Sequence, residues 1–169
     1  ITQAFEPICL NGNLPIRLED GTIKNIRLSR IHIEEDAGKN IHASHSNESF
    51  VDLNRAGTPL LEIVTEPDMS NAYEARTYLK SLRLIVQYLG ICSGNMEEGA
   101  FRADTNISIR KKGDKKLGTR CELKNINSFK FISDAIEHEL ERQIELIEGG
   151  DRVRQETRLW DTKAKQTIT

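Results

Sequence analysis

Apolar residues recur at two spacings in this chain: every second residue in some stretches, every third or fourth in others. The first is the spacing of a strand with one covered face, the second that of a helix with one buried stripe. Residues 14–18 and 23–33 flank Asp20-Gly21, a dipeptide whose residues both tolerate positive φ, so this stretch predicts a β-hairpin. Residues 37–49, with Gly38, Asn40, Asn47 and three serines, show neither period and predict a surface loop. Residues 50–64 return to strand composition, interrupted by Gly57 and Pro59.

The helical period begins after Pro67. Ser70 and Asn71 are capping residues, Glu74 lies three positions after Asn71, and Ala75, Leu79, Leu82, Val86 and Leu89 form a stripe that stops at Gly90. A second helix is predicted from the Asn127-Ser128 cap to Gly149-Gly150, with Phe129, Ile132, Ile136, Leu140, Ile144 and Ile147 on its apolar stripe. Between the helices, Phe101, Ala103, Thr105, Ile107 and Ile109 alternate with Arg102, Asp104, Asn106, Ser108 and Arg110. A Lys/Gly/Asp loop over 111–118 follows, and then Cys121 and Leu123 oppose Arg120, Glu122 and Lys124. The tail alternates again, with Val153, Gln155, Thr157 and Leu159 predicted on the dry face and Arg152, Arg154, Glu156 and Arg158 on the wet one. Strands grouped around two long amphipathic helices predict an α+β fold on a mostly antiparallel sheet, in a single domain over 1–169.

Composition removes several function classes. At 169 residues the chain can bury roughly 70% of the surface it would expose unfolded, so it needs no structural metal or disulfide. Its 24 lysines and arginines against 26 acids leave a formal charge of −2, so any RNA contact has to be local. No apolar run approaches the roughly 18 residues of a membrane span. Cys9, Cys92 and Cys121 are odd in number and widely spaced, which fits a reducing cytoplasm better than a disulfide framework or a zinc site. The chain opens on Ile1 and ends in the strand-like Gln166-Thr167-Ile168-Thr169, as expected of a piece of a longer protein.

The phosphate-loop, dinucleotide, zinc-protease and nucleophile-elbow signatures are absent. What stands out is acids on strands. Glu62 interrupts the apolar run Leu60-Leu61-Glu62-Ile63-Val64, and a carboxylate there needs a cation, a donor or an open edge. Glu35 falls on the face of Ile31 and Ile33, while Asp104 and Glu122 lie on the polar faces of two strands predicted to be neighbours. Four carboxylates on one sheet surface call for a divalent cation, and oxygen-only ligands suit Mg²⁺. Alternating acids and bases are also what a solvated strand face shows. Spacing alone prefers that explanation for Glu122, leaves Asp104 balanced and favours function only for Glu62. Candidate nucleotide contacts are Arg102, Asn106, Lys124 and Arg158, together with Glu97 and Glu98 in the turn Asn95-Met96-Glu97-Glu98-Gly99. Ordinary capping, turns and an edge strand explain the same residues. The four histidines, His32 among them, read as surface or satisfied side chains.

Four segments carry a family resemblance: His32-Ile33-Glu34-Glu35-Asp36-Ala37-Gly38-Lys39; residues 51–68, with Asn54-Arg55-Ala56-Gly57-Thr58-Pro59 and Leu61-Glu62-Ile63-Val64; Gly94-Asn95-Met96-Glu97-Glu98-Gly99; and Gln155-Glu156-Thr157-Arg158. In this order they resemble the GatB family, the B subunits of the aspartyl/glutamyl-tRNA amidotransferases. The resemblance implies a cradle-shaped catalytic domain with a glutamine-synthetase-like sheet. It implies ATP- and Mg²⁺-dependent phosphorylation of the side-chain carboxylate of Glu on tRNA-Gln or Asp on tRNA-Asn. Amidation would follow, using ammonia from the amidase (A) subunit of a cytoplasmic heterotrimer that also holds a small (C) subunit. It implies that Glu35, Glu62, Asp104 and Glu122 are the catalytic and metal-binding acids.

The family's opening strand with its Glu-x-His pair and its cysteine-bearing segment are expected upstream, and its tRNA-gripping helical and tail domains downstream. The segment alone is therefore expected to be inactive. Ala103 stands where the family often has cysteine and Phe101 where leucine is common. A small-molecule ligase of the glutamine-synthetase kind and a non-catalytic scaffold remain as rivals; tRNA-independent activity would mark the first, and absence of Mg²⁺-dependent nucleotide binding the second.

Overall fold

The computed structural model describes residues 5–42 and 49–169. Its contacts divide into two compact units, Ile1–Pro15 with Asn25–Asp68 and Ile16–Lys24 with Met69–Thr169.

β1 (Cys9–Arg17) and β2 (Ile23–Glu35) are the two arms of the predicted hairpin, whose turn and turn-proximal ends are counted with the second unit, and β5 (Pro59–Thr65), in the first unit, pairs antiparallel with β2 on its other side. Gly21 takes φ +83° at the tip, and the Asp20 carboxylate accepts hydrogen bonds from the Thr22 amide and hydroxyl at 2.9 and 2.7 Å. Such an Asx contact replaces backbone partners that the turn cannot supply. The loop expected over 37–49 is only partly loop. Lys39–His42 forms β3, paired antiparallel with β4 (Ser49–Asp52), and residues 43–48 lie outside the described part. Four-residue strands are too short to show a period in sequence. Pro59 opens β5, the position in a strand where a missing amide costs least.

In the second unit, α1 (Ala72–Tyr88) starts at Asn71, whose side chain accepts from the Glu74 amide. The Glu74 carboxylate in turn accepts from the Ser70 amide at 2.7 Å and from Lys24 Nζ at 2.8 Å. This is the predicted capping box displaced by one residue. The second helix, α2 (Phe129–Glu148), is capped by Ser128 and ends at Gly149. Leu89, Ile144 and Ile147, placed on the buried stripes by sequence, stay at the surface. The buried face of α2 is Ile132, Ala135, Ile136, Glu139 and Gln143, two of them polar.

This helix crosses over between β7 (Cys121–Lys124) and β8 (Thr157–Asp161), which are therefore parallel. Outside them, β6 (Thr105–Ile107) and β9 (Gln166–Ile168) pair antiparallel, in the order β6-β7-β8-β9. The expected mostly antiparallel sheet thus resolves into three sheets among the described residues, one of them mixed. Burial alternates along 101–107 as predicted, yet only 105–107 form a ladder because β7 offers no more than four residues. The core gathers Val86, Met96, Phe101, Ile107, Leu123, Ile132, Ile136 and Trp160 between helices and sheet.

The polarity predicted for the tail holds at Arg152, Val153 and Arg154 but is reversed over 155–159. Trp160 is 2% exposed and fills the core, so Arg158, two residues earlier, points to the same covered side while Thr157 and Leu159 face outward. A buried indole contributes far more apolar area than a threonine or glutamine, and it sets the strand's parity. Among the described residues no helix is long and apolar enough to cross a membrane.

Candidate active site

On the open face of the four-stranded sheet, Asn106 lies directly opposite Glu122 and Glu122 directly opposite Thr157. Lys124 Nζ sits 2.9 Å from Asp104 Oδ2 and 3.4 Å from Glu122 Oε1, so both carboxylates share that face, as alternation predicts. The hydrogen bond to Asp104 is the main reason the Lys124 ammonium stays charged above the ordinary lysine range. Thr157 donates its hydroxyl to Glu122 Oε2 at 2.9 Å, and the Glu122 amide donates to Glu156 O at 3.0 Å. Glu122 is held at its backbone and at both carboxylate oxygens.

The covered face of the same strands holds a polar cluster that periodicity did not reveal. Glu139 is fully buried and accepts from Arg142 at 2.6 and 2.9 Å, from Gln143 at 2.8 Å and from Thr167 at 3.0 Å. Burial pushes its carboxyl up, and the hydrogen bonds from Arg142, Gln143 and Thr167 outweigh that and hold it below the usual range. Arg158 donates to Thr167 Oγ1 at 3.0 Å, to Thr167 O at 2.7 Å and to Glu156 at 2.5 Å, and lies 3.5 Å from Glu139. This corrects the reading of Arg158 as a nucleotide contact. Its guanidinium is committed inside the protein, on the side of the sheet away from Asp104 and Glu122. The available signal was the polar group Glu139-x-x-Arg142-Gln143 beside the apolar stripe of the helix, within one turn of one another.

In the first unit, His32 pairs with Glu62 across β2 and β5, with Nε2 2.7 Å from the Glu62 carboxylate. Glu34 lies 3.9 Å from the same nitrogen. His32 is 2% exposed, whereas half of the Glu62 side chain is open to solvent. The acid inside the apolar run therefore has both a donor and an open side. Glu35 is opposite Pro59, one step out of phase with the His32–Glu62 pair, so Glu35 and Glu62 leave the two strands on opposite faces. Four acids on one surface is thus not what the register makes: the partners on the Glu62 face are His32 and Glu34. His32 has no second histidine near it at a metal-binding spacing, so the sequence alone carries no signal that it meets Glu62.

The remaining candidates are on loops and edges. Glu97 and Glu98 are exposed, but the amides of their turn are committed internally: Glu97 N donates to Asn95 Oδ1, Gly99 N to Met96 O, and Ala100 N and Phe101 N to Asn95 O. That turn offers carboxylates rather than an amide cradle for an anion. Arg102 is exposed, and Asn106 is exposed beside Glu122. At the start of α2, Ser128 Oγ takes the Phe131 amide and Asn125 Nδ2 donates to Trp160 O, which is the capping explanation.

Two donor sets could hold a cation. Asp104 and Glu122 offer only oxygen and already accommodate an ammonium between them, which fits a hard ion such as Mg²⁺. His32, Glu34 and Glu62 offer ligand atoms within 4.8 Å of one another, a mixed nitrogen and oxygen set that suits a softer divalent ion as well.

One α+β unit presents acids bridged by a lysine on the open face of its sheet, and the other unit carries a His/Glu/Glu group. The chain belongs to the GatB/GatE catalytic domain family, whose model matches residues 1–169. It is 58% identical over 167 residues to the aspartyl/glutamyl-tRNA(Asn/Gln) amidotransferase B subunit of Pseudomonas putida strain W619, covering 99% of this chain and 35% of that protein. The corresponding protein of Pseudomonas syringae pv. syringae strain B728a is 57% identical with the same coverage, and that of Ectopseudomonas mendocina strain ymp 56% over 166 residues, 98% and 34% of the two chains. The chain spans about a third of the length of the curated relatives it matches.

Proposed function

We propose that this chain is the catalytic-domain part of the B subunit of a tRNA-dependent amidotransferase, acting on Glu-tRNA(Gln) or Asp-tRNA(Asn) together with an amidase (A) subunit and a small (C) subunit. The observation that carries the reading is the match of all 169 residues to a catalytic-domain family, with relatives of that name at 56–58% identity. The cradle shape and glutamine-synthetase-like ancestry belong to the same proposal.

In this reading an oxygen of the substrate's side-chain carboxylate attacks the γ-phosphorus of ATP, the bond to ADP breaks, and an acyl phosphate forms. Ammonia then attacks the acyl carbon, a proton leaves the nitrogen, and inorganic phosphate departs. Asp104 and Glu122 would hold Mg²⁺, which when bound neutralises charge on the triphosphate. Lys124 supplies a fixed positive charge at the same face, and Asn106 offers an amide beside it. Glu62, oriented by His32, is the acid available to take the ammonium proton. Glu35, on the other face of the β2–β5 pair, is proposed as a metal-binding acid of that face.

The test uses the full-length protein assembled with its partner subunits, ATP, Mg²⁺ and charged tRNA. Hydroxylamine should trap an acyl hydroxamate on the tRNA when no ammonia source is present, and phosphate release should require the charged tRNA. ATP-dependent amide formation on a free amino acid without tRNA would instead establish the small-molecule ligase, and absence of Mg²⁺-dependent nucleotide binding would establish the scaffold.

A further inference from the structure

The loop between β6 and β7 is chemically unlike the rest of the chain. Residues 110–120 hold six of the 24 lysines and arginines (Arg110, Lys111, Lys112, Lys115, Lys116 and Arg120) but only one of the 26 acids, Asp114. Every residue from 110 to 120 is exposed, and the four lysines make no ion pair among the described residues. The tip has a definite shape. Asp114 N donates to Lys111 O at 3.1 Å with Gly113 at φ +99°, a four-residue turn that needs glycine at its third position. Arg110 Nη1 donates to Lys115 O at 3.1 Å and ties the two sides together. At the base a Cβ on Gly118 would collide with Ile109 O, so the returning strand passes directly over the outgoing one.

Gathering like charges on a closed tip is unfavourable unless something of opposite charge meets them, and the neighbouring side chains do not. Glu122 and Asp104 lie on the same hairpin, Glu122 only two residues or about 7 Å of strand beyond Arg120, close to a Debye length at physiological salt. An acidic face of that kind repels the phosphates of any nucleic acid brought to it. Cations beside it offset that repulsion locally while the chain as a whole remains at −2. The tip carries no aromatic residue, so it has nothing on which a base could stack, and its chemistry is that of a backbone contact.

We infer that the 110–120 loop is an RNA-phosphate contact that holds the backbone of the substrate tRNA next to the acidic face. The inference rests on the proposed tRNA-dependent activity and adds the element of this chain that the RNA touches. The four lysines contribute without sequence preference and without touching the reacting atoms.

The experiment compares the full-length assembled enzyme with a variant carrying Lys111→Gln, Lys112→Gln, Lys115→Gln and Lys116→Gln, measuring tRNA affinity over a range of salt. Release of counterions gives a slope of about −0.7 to −0.9 per phosphate neutralised, so the variant's log–log salt dependence should be shallower by about 3 and its low-salt affinity at least tenfold weaker. Replacing the same four lysines by arginine should restore both. Glutamine hydrolysis and KM for ATP should stay at wild-type values. Equal slopes and affinities for wild type and the glutamine variant would overturn the loop's role while leaving the proposed function standing, as would a change confined to KM for ATP. A wild-type complex that binds no tRNA would overturn both.

Discussion

Thr157 donates its hydroxyl to Glu122 across the parallel β7–β8 ladder at 2.9 Å, from a strand whose next residue, Arg158, is anchored on the opposite face. The catalytic acid proposed here is oriented by a neighbour that is itself clamped from behind.

Thr157→Val should therefore lower turnover of the assembled enzyme about tenfold, equivalent to about 1.4 kcal/mol for a hydrogen bond to a charged group. Thr157→Ser keeps the hydroxyl and should restore most of it. Steady-state transamidation with thermal unfolding in parallel checks this; a valine variant with wild-type kcat would remove Thr157 from the site.

Glu62→Gln keeps the shape and an acceptor for His32 but removes the negative charge. Because the side chain is half exposed, unfolding temperature should move little, while amide formation on charged tRNA should fall at least a hundredfold, about 3 kcal/mol in the barrier. Glutamine hydrolysis by the amidase is the internal control. Near-normal transamidation by a stable variant would show that Glu62 is structural.

Glu139 couples stability to pH. Its carboxyl lies below the ordinary value of 4.5 in the folded protein, so the stabilisation is complete above that pH and is lost as pH falls through the folded value. Glu139→Ala leaves Arg142 and Arg158 without their shared buried acceptor and should cost about 3 kcal/mol at neutral pH. Chemical unfolding from neutral to acid conditions should show the gap between wild type and variant closing as pH drops.

Tyr78 is 3% exposed and its hydroxyl has no hydrogen-bond partner among the described residues, and burial pushes the phenol up to about 12. Between pH 10 and about 12 the unfolded chain loses this proton and the folded one keeps it, so stability falls as pH rises through that interval. Tyr78→Phe removes a buried unsatisfied group and should stabilise the fold by up to about 1 kcal/mol. It should also abolish the late step of the tyrosinate absorbance titration.

Local rules were sufficient wherever the deciding partners lie within a few residues. Asp20-Gly21, Asn71 with Glu74, and Ser128 with Gly149 bound their elements where the sequence places them, because turns and caps are closed by neighbours in the chain. The acidic face of Asp104 and Glu122 was equally legible, since strand alternation carries side chains to one side whatever lies behind them. The resemblance to the amidotransferase family rests on the same local words. Tertiary structure alone decided what depends on pairing across the chain. The register of β2 on β5 put His32 and Glu34, not Glu35, beside Glu62, and a shift of one residue reverses every such choice. The packing of Trp160 turned Arg158 inward, and the burial of Glu139 became tolerable only because Arg142, Gln143 and Thr167 converge on it from helix and strand. Such partners lie up to about 30 residues apart, beyond the reach of any periodicity, and only the folded chain supplies the donors that stabilise an inward charge.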